Sequence, residues 1–360
     1  MDTLKKTPLY DTHVSLHGKM VDFGGWALPV QYTSIIDEHR AVRENVGLFD
    51  VSHMGEVMVE GKDAFSYIQG LVTNCIKSMT PGRVRYSPVC YDDGGTVDDI
   101  LIYKLADEKY LLVINAGNTD KDYDWFCAHK FGDVKLENQS KDWAQLALQG
   151  PKFNDVLMAA GVEGELPTKN YTFANGTLVA GIPCLVSVTG YTGELGVELY
   201  CKAEDGARLH AKLMEAGKPF GLMPCGLGAR DSLRFEAGMP LYGHELSKDI
   251  SPLEAGLSFA VKLTKDSFIG KEALLKPIKR TRIGLKLLDK GILRDHYDVY
   301  VGDKLVGCTT SGMPVPTLDG SYAMALINID DSDNENYTVE IRGRRLNAVK
   351  VDIPFYKRAK

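Results

Sequence analysis

A strong hairpin signal lies in the first third of the chain. The β-prone runs Val84–Tyr91 and Thr96–Lys104 flank the turn sequence Asp92–Gly95, Asp-Asp-Gly-Gly. Asp-Gly and Gly-Gly pairs permit the positive φ angles that tight turns between antiparallel strands require. The two runs are therefore predicted to pair with each other as an antiparallel hairpin.

The other strand and helix signals follow without a regular βαβ order. A helix is predicted from Ser34, as its N-cap, to about Asn45, and a second one over Ala203–Ala216, ended by Gly217. Further strands are predicted at Tyr110–Ile114, Gln145–Gln149, Leu185–Thr189 and Val197–Cys201. This irregular mixture favours an α+β fold over a doubly wound parallel sheet.

The composition changes near Lys276. The stretch Lys276–Arg282 is basic and contains a proline, as a linker would. Short strands at close spacing follow it, a pattern typical of a small all-β barrel or sandwich. They are Ile283–Leu288, Asp298–Val301, Leu305–Thr310, Tyr322–Ile327, Tyr337–Ile341 and Ala348–Asp352. A domain boundary is therefore predicted between residues 265 and 282.

Charge and hydropathy exclude several classes of protein. The 360 residues carry a formal net charge of −6, so no overall positive field attracts nucleic acid or an anionic membrane. The longest apolar stretch, Leu178–Val188, is too short to cross a bilayer. The first residues lack the apolar core of a signal peptide. We therefore expect a cytoplasmic protein with no membrane or nucleic-acid partner.

Motifs for metal and nucleotide chemistry are missing. The 7 cysteines are dispersed without a CxxC pair, which predicts free and mostly buried thiols. His13 and His17 have the spacing of two ligands on one helical face, but no third ligand accompanies them. No phosphate-binding loop, intact dinucleotide fingerprint or nucleophile elbow occurs. We therefore expect neither a metal nor a nucleotide.

Two aspartates stand where a predicted strand begins its apolar run. Strand alternation places Asp99 on the face of Leu101, and Asp98 on the face of Ile100. Both faces become apolar, so alternation does not choose between the two carboxylates. A carboxylate beside an apolar sheet needs a partner or a positive ligand, and a turn cap is the alternative.

The glycine-rich segment Thr189–Glu198 is a second candidate site. Its glycines let a ligand approach the backbone, Tyr191 offers a ring for stacking, and Glu198 offers two acceptor oxygens to an amino-heterocycle. A tight loop is the alternative. Arg230 lies in the first turn of a helix predicted from about Gly228, where the dipole disfavours a cation. This indicates anion binding by Arg230, with an intramolecular salt bridge as the alternative.

A series of short motifs runs from one end of the chain to the other. The motifs are Thr7–Tyr10, Val21–Trp26, Gly47–Met54, Gly94–Asp99, Gly190–Glu194, Gly226–Asp231, Thr310–Gly312 and Pro354–Tyr356. Together they resemble the T-protein family of the glycine cleavage system, the tetrahydrofolate-dependent aminomethyltransferases. Each motif alone is weak, whereas the complete series in this order is highly specific.

The resemblance implies an α+β fold of three domains around a central folate cavity. Residues 1–265 would form the folate-binding aminomethyltransferase region, with two intertwined subdomains at 1–51 plus 138–265 and at 52–137. Residues 266–282 would be a basic linker, and residues 283–360 a small C-terminal β-barrel.

The resemblance also implies roles for side chains. Asp99 corresponds to the catalytic carboxylate near folate N5, Glu198 and Tyr191 would hold the pterin, and Arg230 would contact the carboxylate-bearing end of the folate or help order the site. The remaining expected folate contacts are Met54, Tyr86, Asn115, Tyr242 and Tyr356.

The implied reaction transfers the methylene carbon of an aminomethyl group from the lipoyl arm of a partner, the H-protein, to tetrahydrofolate. The products are 5,10-methylenetetrahydrofolate, ammonia and dihydrolipoyl H-protein. Positive charge develops on nitrogen, where a fixed carboxylate such as Asp99 stabilises it and can relay a proton. No metal, flavin or nucleotide is required. A folate-dependent demethylase and a non-enzymatic folate-binding protein that assists iron–sulfur proteins are the alternatives.

The chain departs from the family pattern at three places. Val188 stands where arginine is common, Met313–Val315 replaces Thr-Phe-Ser, and Lys357 replaces arginine. The first is expected to alter the electrostatics of the pterin loop, and the second to reshape a barrel loop. Lys276–Arg282 and Arg294 are candidates to steer an acidic partner, with a solvated linker as the alternative for the former.

Overall fold

The computed structural model describes residues 3–358. The chain forms two compact units, each assembled from separated segments. The first unit takes the chain up to Tyr67, then Ile76–Arg85 and Ile100–Leu233; the second takes Ile68–Cys75, Tyr86–Asp99 and the chain from Arg234 onward. Across residues 3–358, no helix is both long and apolar enough to cross a membrane. The domain limits given above stay a prediction.

The helices are short and separated by strands. They are α1 (Tyr10–Ser15), α2 (Ile35–Glu44), α3 (Ala64–Leu71), α4 (Thr119–Ala128), α5 (Phe153–Ala160), α6 (Gly206–Gly217), α7 (Leu227–Glu236) and α8 (Lys271–Leu274). Ser34 caps α2 as predicted, since its Oγ accepts the N–H of Asp37 at 3.1 Å. α6 begins later than predicted because Ala203–Asp205 form a tighter 3-10 turn, which is common at helix starts.

The strands account for most of the regular structure. They are β1 (Lys5–Lys6), β2 (Met20–Phe23), β3 (Trp26–Pro29), β4 (Val46–Asp50), β5 (Gly55–Glu60), β6 (Arg83–Cys90), β7 (Thr96–Ala106), β8 (Lys109–Ile114), β9 (Lys135–Asn138), β10 (Trp143–Gln149), β11 (Val162–Glu163), β12 (Phe173–Val179), β13 (Ile182–Ser187), β14 (Gly196–Lys202), β15 (Leu222–Cys225), β16 (Arg280–Leu287), β17 (Asp298–Val301), β18 (Lys304–Pro314), β19 (Ser321–Asn328), β20 (Asn336–Ile341) and β21 (Arg344–Val351). The mixture confirms the α+β prediction.

The first unit contains a seven-stranded sheet with the strand order β11-β12-β13-β14-β10-β4-β15. β10 pairs antiparallel with both β14 and β4. Its register places Gln145 opposite Tyr200 and Ala147 opposite Glu198, so these side chains share one face of the sheet. The alternate residues, among them Leu146, point into the main hydrophobic core on the other face. The sheet register therefore brings Gln145 and Glu198 together.

Two further sheets have the orders β6-β7-β8-β5-β9 and β1-β3-β2. β6 and β7 are neighbours, which confirms the predicted hairpin, and the turn has Gly94 at φ +88°. Within the first unit, Tyr103 and Leu111 from the five-stranded sheet pack against Leu185 and Tyr200 from the seven-stranded sheet. This second core lies next to the polar face of β10 and β14.

β13 covers Ile182–Ser187, so the predicted strand Leu185–Thr189 was wrong at both ends. It starts early despite Pro183 because β14 pairs with it only from Leu185, which leaves one side of Pro183 without a partner strand. After Ser187 the main chain still donates from Val188 N–H to Thr172 O at 2.9 Å, and Thr189 Oγ1 donates to the carboxylate of Glu198.

A closed antiparallel barrel lies in the C-terminal part of the second unit, in the order β16-β19-β18-β17-β20-β21. This confirms the barrel prediction. β16 closes the barrel by pairing with both β19 and β21. It begins at Arg280, three residues before the predicted Ile283, because Arg280 pairs with Asn328 in the sheet and places its Nε 2.9 Å from Glu254 Oε1.

Candidate functional site

Glu198 is a buried carboxylate in the first unit, only 6% exposed. Gln145 Nε2 donates to its Oε1 at 3.2 Å, and Thr189 Oγ1 donates to its Oε2. Burial raises the pKa of Glu198, while the Thr189 bond, the charge of Arg230 and the Gln145 bond oppose that rise. Glu198 is therefore an acceptor whose orientation is set before any ligand arrives.

A set of hydroxyl groups lies behind Glu198. Gln145 Nε2 also donates to Tyr200 OH at 2.9 Å, and the hydroxyls of Tyr200 and Tyr103 are 2.9 Å apart. Tyr103 OH lies 3.3 Å from Thr189 Oγ1, which closes the network. Sequence reasoning included Thr189 in the glycine-rich candidate segment but missed Gln145, Tyr103 and Tyr200 as site residues. The available signal was a polar glutamine inside the otherwise apolar run of β10.

Arg230 and Tyr191 form a second part of this site. The guanidinium carbon of Arg230 lies 4.7 Å from the centre of the Tyr191 ring, a cation–π distance. None of the ion pairs formed within residues 3–358 involves Arg230, so the predicted alternative of an internal salt bridge does not apply there. The arginine faces the negative potential of Glu198 and keeps donors for a ligand.

The glycine-rich segment is held in place by buried partners. Thr192 Oγ1 donates to Gln149 Oε1 at 2.9 Å, and Arg43 Nη1 donates to Thr192 O at 2.7 Å and to Glu194 Oε1 at 2.9 Å. A side chain at Gly190 would collide with the amide of Gln149. The segment is thus a fixed loop that presents Tyr191. It can be a tight loop and bind a ligand as well, so these two predicted alternatives do not exclude each other.

Met54 and Asn115 also lie in the first unit. Met54 is half-buried and packs against the cores that contain Tyr200 and Phe49. Asn115 directly follows β8 and is half-buried. Its carbonyl accepts the N–H of Asn118 at 3.0 Å. Met54 therefore packs against the same core as Tyr200, whose hydroxyl belongs to the network behind Glu198.

The second unit contains Tyr86, Asp99, Tyr242 and Tyr356. Tyr86 OH donates to Asp99 Oδ2 at 2.9 Å, and Tyr86 and Tyr242 pack against the same small hydrophobic cluster around Leu246. Tyr242 OH donates to Thr96 O at 3.2 Å, on the strand that carries Asp99. The main-chain N–H of Tyr356 donates to Glu236 O at 2.8 Å. The first three side chains are thus brought together.

Burial distinguishes the two neighbouring aspartates. Asp98 is fully buried at 0% exposure, whereas Asp99 is half-buried. Strand alternation left this choice open, since both faces of β7 become apolar further along. Of the two carboxylates, Asp99 is the one that remains reachable from outside its own strand.

No group of three or more His, Cys, Asp or Glu side chains in the described part of the chain is arranged to hold a metal ion. His13 Nε2 instead lies 2.7 Å from Asp50 Oδ2, and its Nδ1 lies 2.7 Å from Tyr32 OH. None of the seven cysteines, all of which lie in the described part of the chain, forms a disulfide bond, and Cys127 is exposed. The histidine pair singled out in the sequence therefore serves a hydrogen-bond network at His13.

The basic and departing residues have defined surroundings. Arg282 Nη1 donates to Gly238 O at 3.1 Å, so part of the basic stretch is tied to the second unit. Lys276, Lys279 and Arg294 are exposed. Val188, which stands where the family commonly has arginine, packs partly buried against the main core of the first unit. An apolar side chain suits that location.

Comparisons with known proteins agree over the whole chain. The family model for the GCVT N-terminal domain matches residues 9–265, and that for the glycine cleavage T-protein C-terminal barrel domain matches residues 280–357. The aminomethyltransferases of Bacillus mycoides (strain KBAB4) and Bacillus cytotoxicus are each 52% identical, over 369 and 370 residues, covering 100% of both chains. The crystal structure of glycine cleavage system aminomethyltransferase T from Bartonella henselae has a TM-score of 0.91 at 31% identity, covering 98% of each chain.

Proposed function

Because the chain belongs to the glycine cleavage T-protein family and is an aminomethyltransferase, we propose that it transfers a methylene carbon from the lipoyl arm of an H-protein to tetrahydrofolate. Ammonia and dihydrolipoyl H-protein are the other products. Tetrahydrofolate supplies the nitrogen atoms that accept the carbon. The protein then has to bind the folate, orient it, stabilise the positive charge that develops on nitrogen and transfer protons.

The buried and pre-oriented carboxylate of Glu198 is the observation that carries this proposal. The amino-pyrimidine edge of a pterin presents N–H donors side by side, and a carboxylate can accept two such bonds. Glu198 supplies those acceptors within a network that fixes its orientation. Tyr191 supplies a stacking surface and Arg230 a cation. The residue types fit a pterin, and we propose Met54 and Asn115 as further folate contacts.

We propose Asp99 as the catalytic carboxylate. Tyr86 OH donates a hydrogen bond to its Oδ2 at 2.9 Å, which fixes the direction of the carboxylate. An ionised carboxylate stabilises the positive charge that develops on nitrogen during transfer, and it can accept and return a proton. Tyr86, Tyr242 and Tyr356 are proposed as folate contacts from the second unit.

Further parts of the proposal concern domains, partner and location. We propose a folate-binding region at residues 1–265, with the subdomain limits given above, a linker at 266–282 and a barrel domain at 283–360. The exposed cations Lys276, Lys279 and Arg294 are proposed to attract an acidic H-protein surface. A cytoplasmic location completes the proposal.

Asp99→Asn tests the catalytic assignment. The amide keeps the shape but loses the charge, so folate binding should remain while turnover falls about 10²–10⁴-fold. Methylenetetrahydrofolate and ammonia are measured with aminomethyl-loaded H-protein, with and without tetrahydrofolate, beside a folate titration.

Asp92→Asn is the matched control, since Asp92 is an exposed carboxylate in the same hairpin and should tolerate the change. Normal turnover in Asp99→Asn would remove Asp99 from catalysis. Tight folate binding by the unmodified protein without folate-dependent release of either product would favour another one-carbon donor or a folate-binding role.

A further inference from the structure

Gln145 occupies an unusual position in the core of the first unit. It is 2% exposed, and its Nε2 donates both to Glu198 Oε1 at 3.2 Å and to Tyr200 OH at 2.9 Å. Its own carbonyl oxygen Oε1 is buried and has no hydrogen-bond partner within residues 3–358. The two amide hydrogens are therefore used, while the amide oxygen is not.

A glutamine in this arrangement is not explained by its contribution to stability alone. A buried carbonyl without a partner has a desolvation cost, which an apolar residue of similar size would avoid. The neighbouring residues of β10 on the other face, such as Leu146 and Leu148, are apolar and fill the core. Gln145 provides a hydrogen-bond donor for the carboxylate of Glu198. Leucine or methionine at this position would provide none.

We propose that Gln145 is a positioning residue for pterin recognition, because its amide holds the carboxylate of Glu198 in the direction and charge state that a pterin edge requires. This inference rests on the proposed function of Glu198 as the pterin acceptor. It adds a residue that acts through Glu198 and does not itself touch the folate.

The charge state matters because the two forms of a carboxyl group differ in what they accept. An ionised Glu198 accepts two N–H donors from the pterin, whereas a protonated one loses an acceptor site and gains a donor. Burial already pushes the pKa of Glu198 upward, and Gln145 and Thr189 are its hydrogen-bond donors. Loss of the Gln145 bond therefore shifts Glu198 toward its neutral form.

Other titratable groups also face Glu198, and the experiment must distinguish their titration from that of Glu198. They are Arg230 on α7, Tyr103 on β7, Tyr171 before β12, and Tyr200 on β14 with Glu56 near it. Burial and the Glu198 charge both raise the pKa of the three tyrosines. Those tyrosines stay neutral at neutral pH, so an acid-side change in folate binding reports on the carboxyl groups of Glu198 and Glu56, of which only Glu198 is hydrogen-bonded to Gln145.

The test is the pH dependence of tetrahydrofolate dissociation constants for Gln145→Met. Methionine keeps the size but donates no hydrogen bond. We expect about tenfold weaker binding on the acid side from the loss of one charge-assisted bond, and the difference in affinity between Gln145→Met and the unmodified protein should become smaller as pH rises. The acid limb is the part of the curve in which tetrahydrofolate affinity falls as pH is lowered. Its midpoint should move to higher pH in Gln145→Met.

Gln149→Met is the matched control. Gln149 lies on the same strand and is 1% exposed, but its amide donates to Thr189 O and Val197 O and not to Glu198. Any weakening in this variant should be the same at every pH. If Gln145→Met does not fold, Gln145→Leu provides the same test, since leucine also has no hydrogen-bond donor.

The outcomes separate this inference from the proposed function. An acid limb that is unmoved in Gln145→Met would overturn the role of Gln145 in setting the charge state of Glu198, and binding that is weakened no more than in Gln149→Met would overturn its role in orienting that carboxylate. Glu198→Gln addresses the proposed function itself: if that variant binds tetrahydrofolate as the unmodified protein does, Glu198 is not the pterin acceptor.

Discussion

At the scale of single residues, the first unit buries two carboxyl groups with different partners. Glu198 receives hydrogen bonds from Gln145 and Thr189. Glu56 is 1% exposed, and neither of its carboxyl oxygens has a hydrogen-bond partner in the part of the chain that the structure describes. Burial raises the pKa of Glu56 well above its usual range. The same residue type is thus hydrogen-bonded at one position and without a hydrogen bond at the other, where burial favours the neutral carboxyl group.

A stability measurement tests the neutral state of Glu56. A buried acid with a raised pKa keeps its proton in the folded chain after the unfolded chain has released it. Its contribution to the free energy of unfolding therefore falls as pH rises above about 4.3, by about 1.4 kcal/mol per pH unit until the folded group ionises. Glu56→Gln lacks this loss, so urea unfolding should find it increasingly more stable than the unmodified protein between about pH 5 and pH 7.

Glu60→Gln is the control for that experiment. Glu60 lies on the same strand, β5, but is partly exposed and pairs with Lys109 at 2.5 Å. It should not reproduce the growing difference. Stability curves for Glu56→Gln and the unmodified protein that run parallel over this pH range would contradict a neutral Glu56.

At the scale of elements, a buried ion pair joins helix α2 to the glycine-rich loop. Arg43 near the end of α2 binds both Thr192 O and the carboxylate of Glu194, and the two side chains are only 6% and 5% exposed. Gln149 holds the same loop from the sheet side through Thr192. The loop that presents Tyr191 is therefore fixed by a helix on one side and a strand on the other.

Arg43→Met should uncouple the loop from α2. It leaves the buried carboxylate of Glu194 without its cation, so we expect a loss of about 3–5 kcal/mol in the free energy of unfolding and weaker folate binding. Urea unfolding and folate titration measure the two effects. Arg40→Met on the exposed face of α2 is the matched control and should be close to neutral. A loss no larger than that of the control would show that the ion pair does not hold the loop.

At the scale of the whole molecule, segments far apart in the sequence complete each compact unit. The second unit combines Ile68–Cys75 and Tyr86–Asp99 with the chain from Arg234 onward. In its barrel, β16 pairs with β21, so the first and last barrel strands close the structure. Leu285 lies at this closing strand, is 0% exposed and belongs to the barrel core.

Leu285→Ala should therefore destabilise the barrel as a whole. Removal of a fully buried leucine side chain costs about 2–5 kcal/mol through lost burial and the cavity that remains. Urea unfolding gives the total, and hydrogen exchange should lose protection across β16, β19 and β21 together. Leu305→Ala is the control, because Leu305 is on barrel strand β18 but 52% exposed. Loss of protection confined to β16 would contradict a barrel that opens as one unit.

Much of the architecture was predictable because it depends on local signals. Turn residues at Asp92–Gly95, the Ser34 cap and the close strand spacing after Lys276 act within a few residues of their own position. The errors fall at element ends. The start of β13 depends on which of its residues pair with β14, and the start of β16 depends on pairing with Asn328.

In the candidate site, too, some features follow from the sequence and others from contacts between distant segments. Motif order along the chain identified the family and singled out Asp99, Glu198, Tyr191 and Arg230 as candidates. The sequence by itself determined fold class, family and candidate residues, since these depend on residue types and their order. The tertiary structure alone decided which of Asp98 and Asp99 is buried, and that Gln145 lies against Glu198. Those facts depend on strand pairing between distant segments, which sets the burial and the hydrogen-bond partners of each side chain.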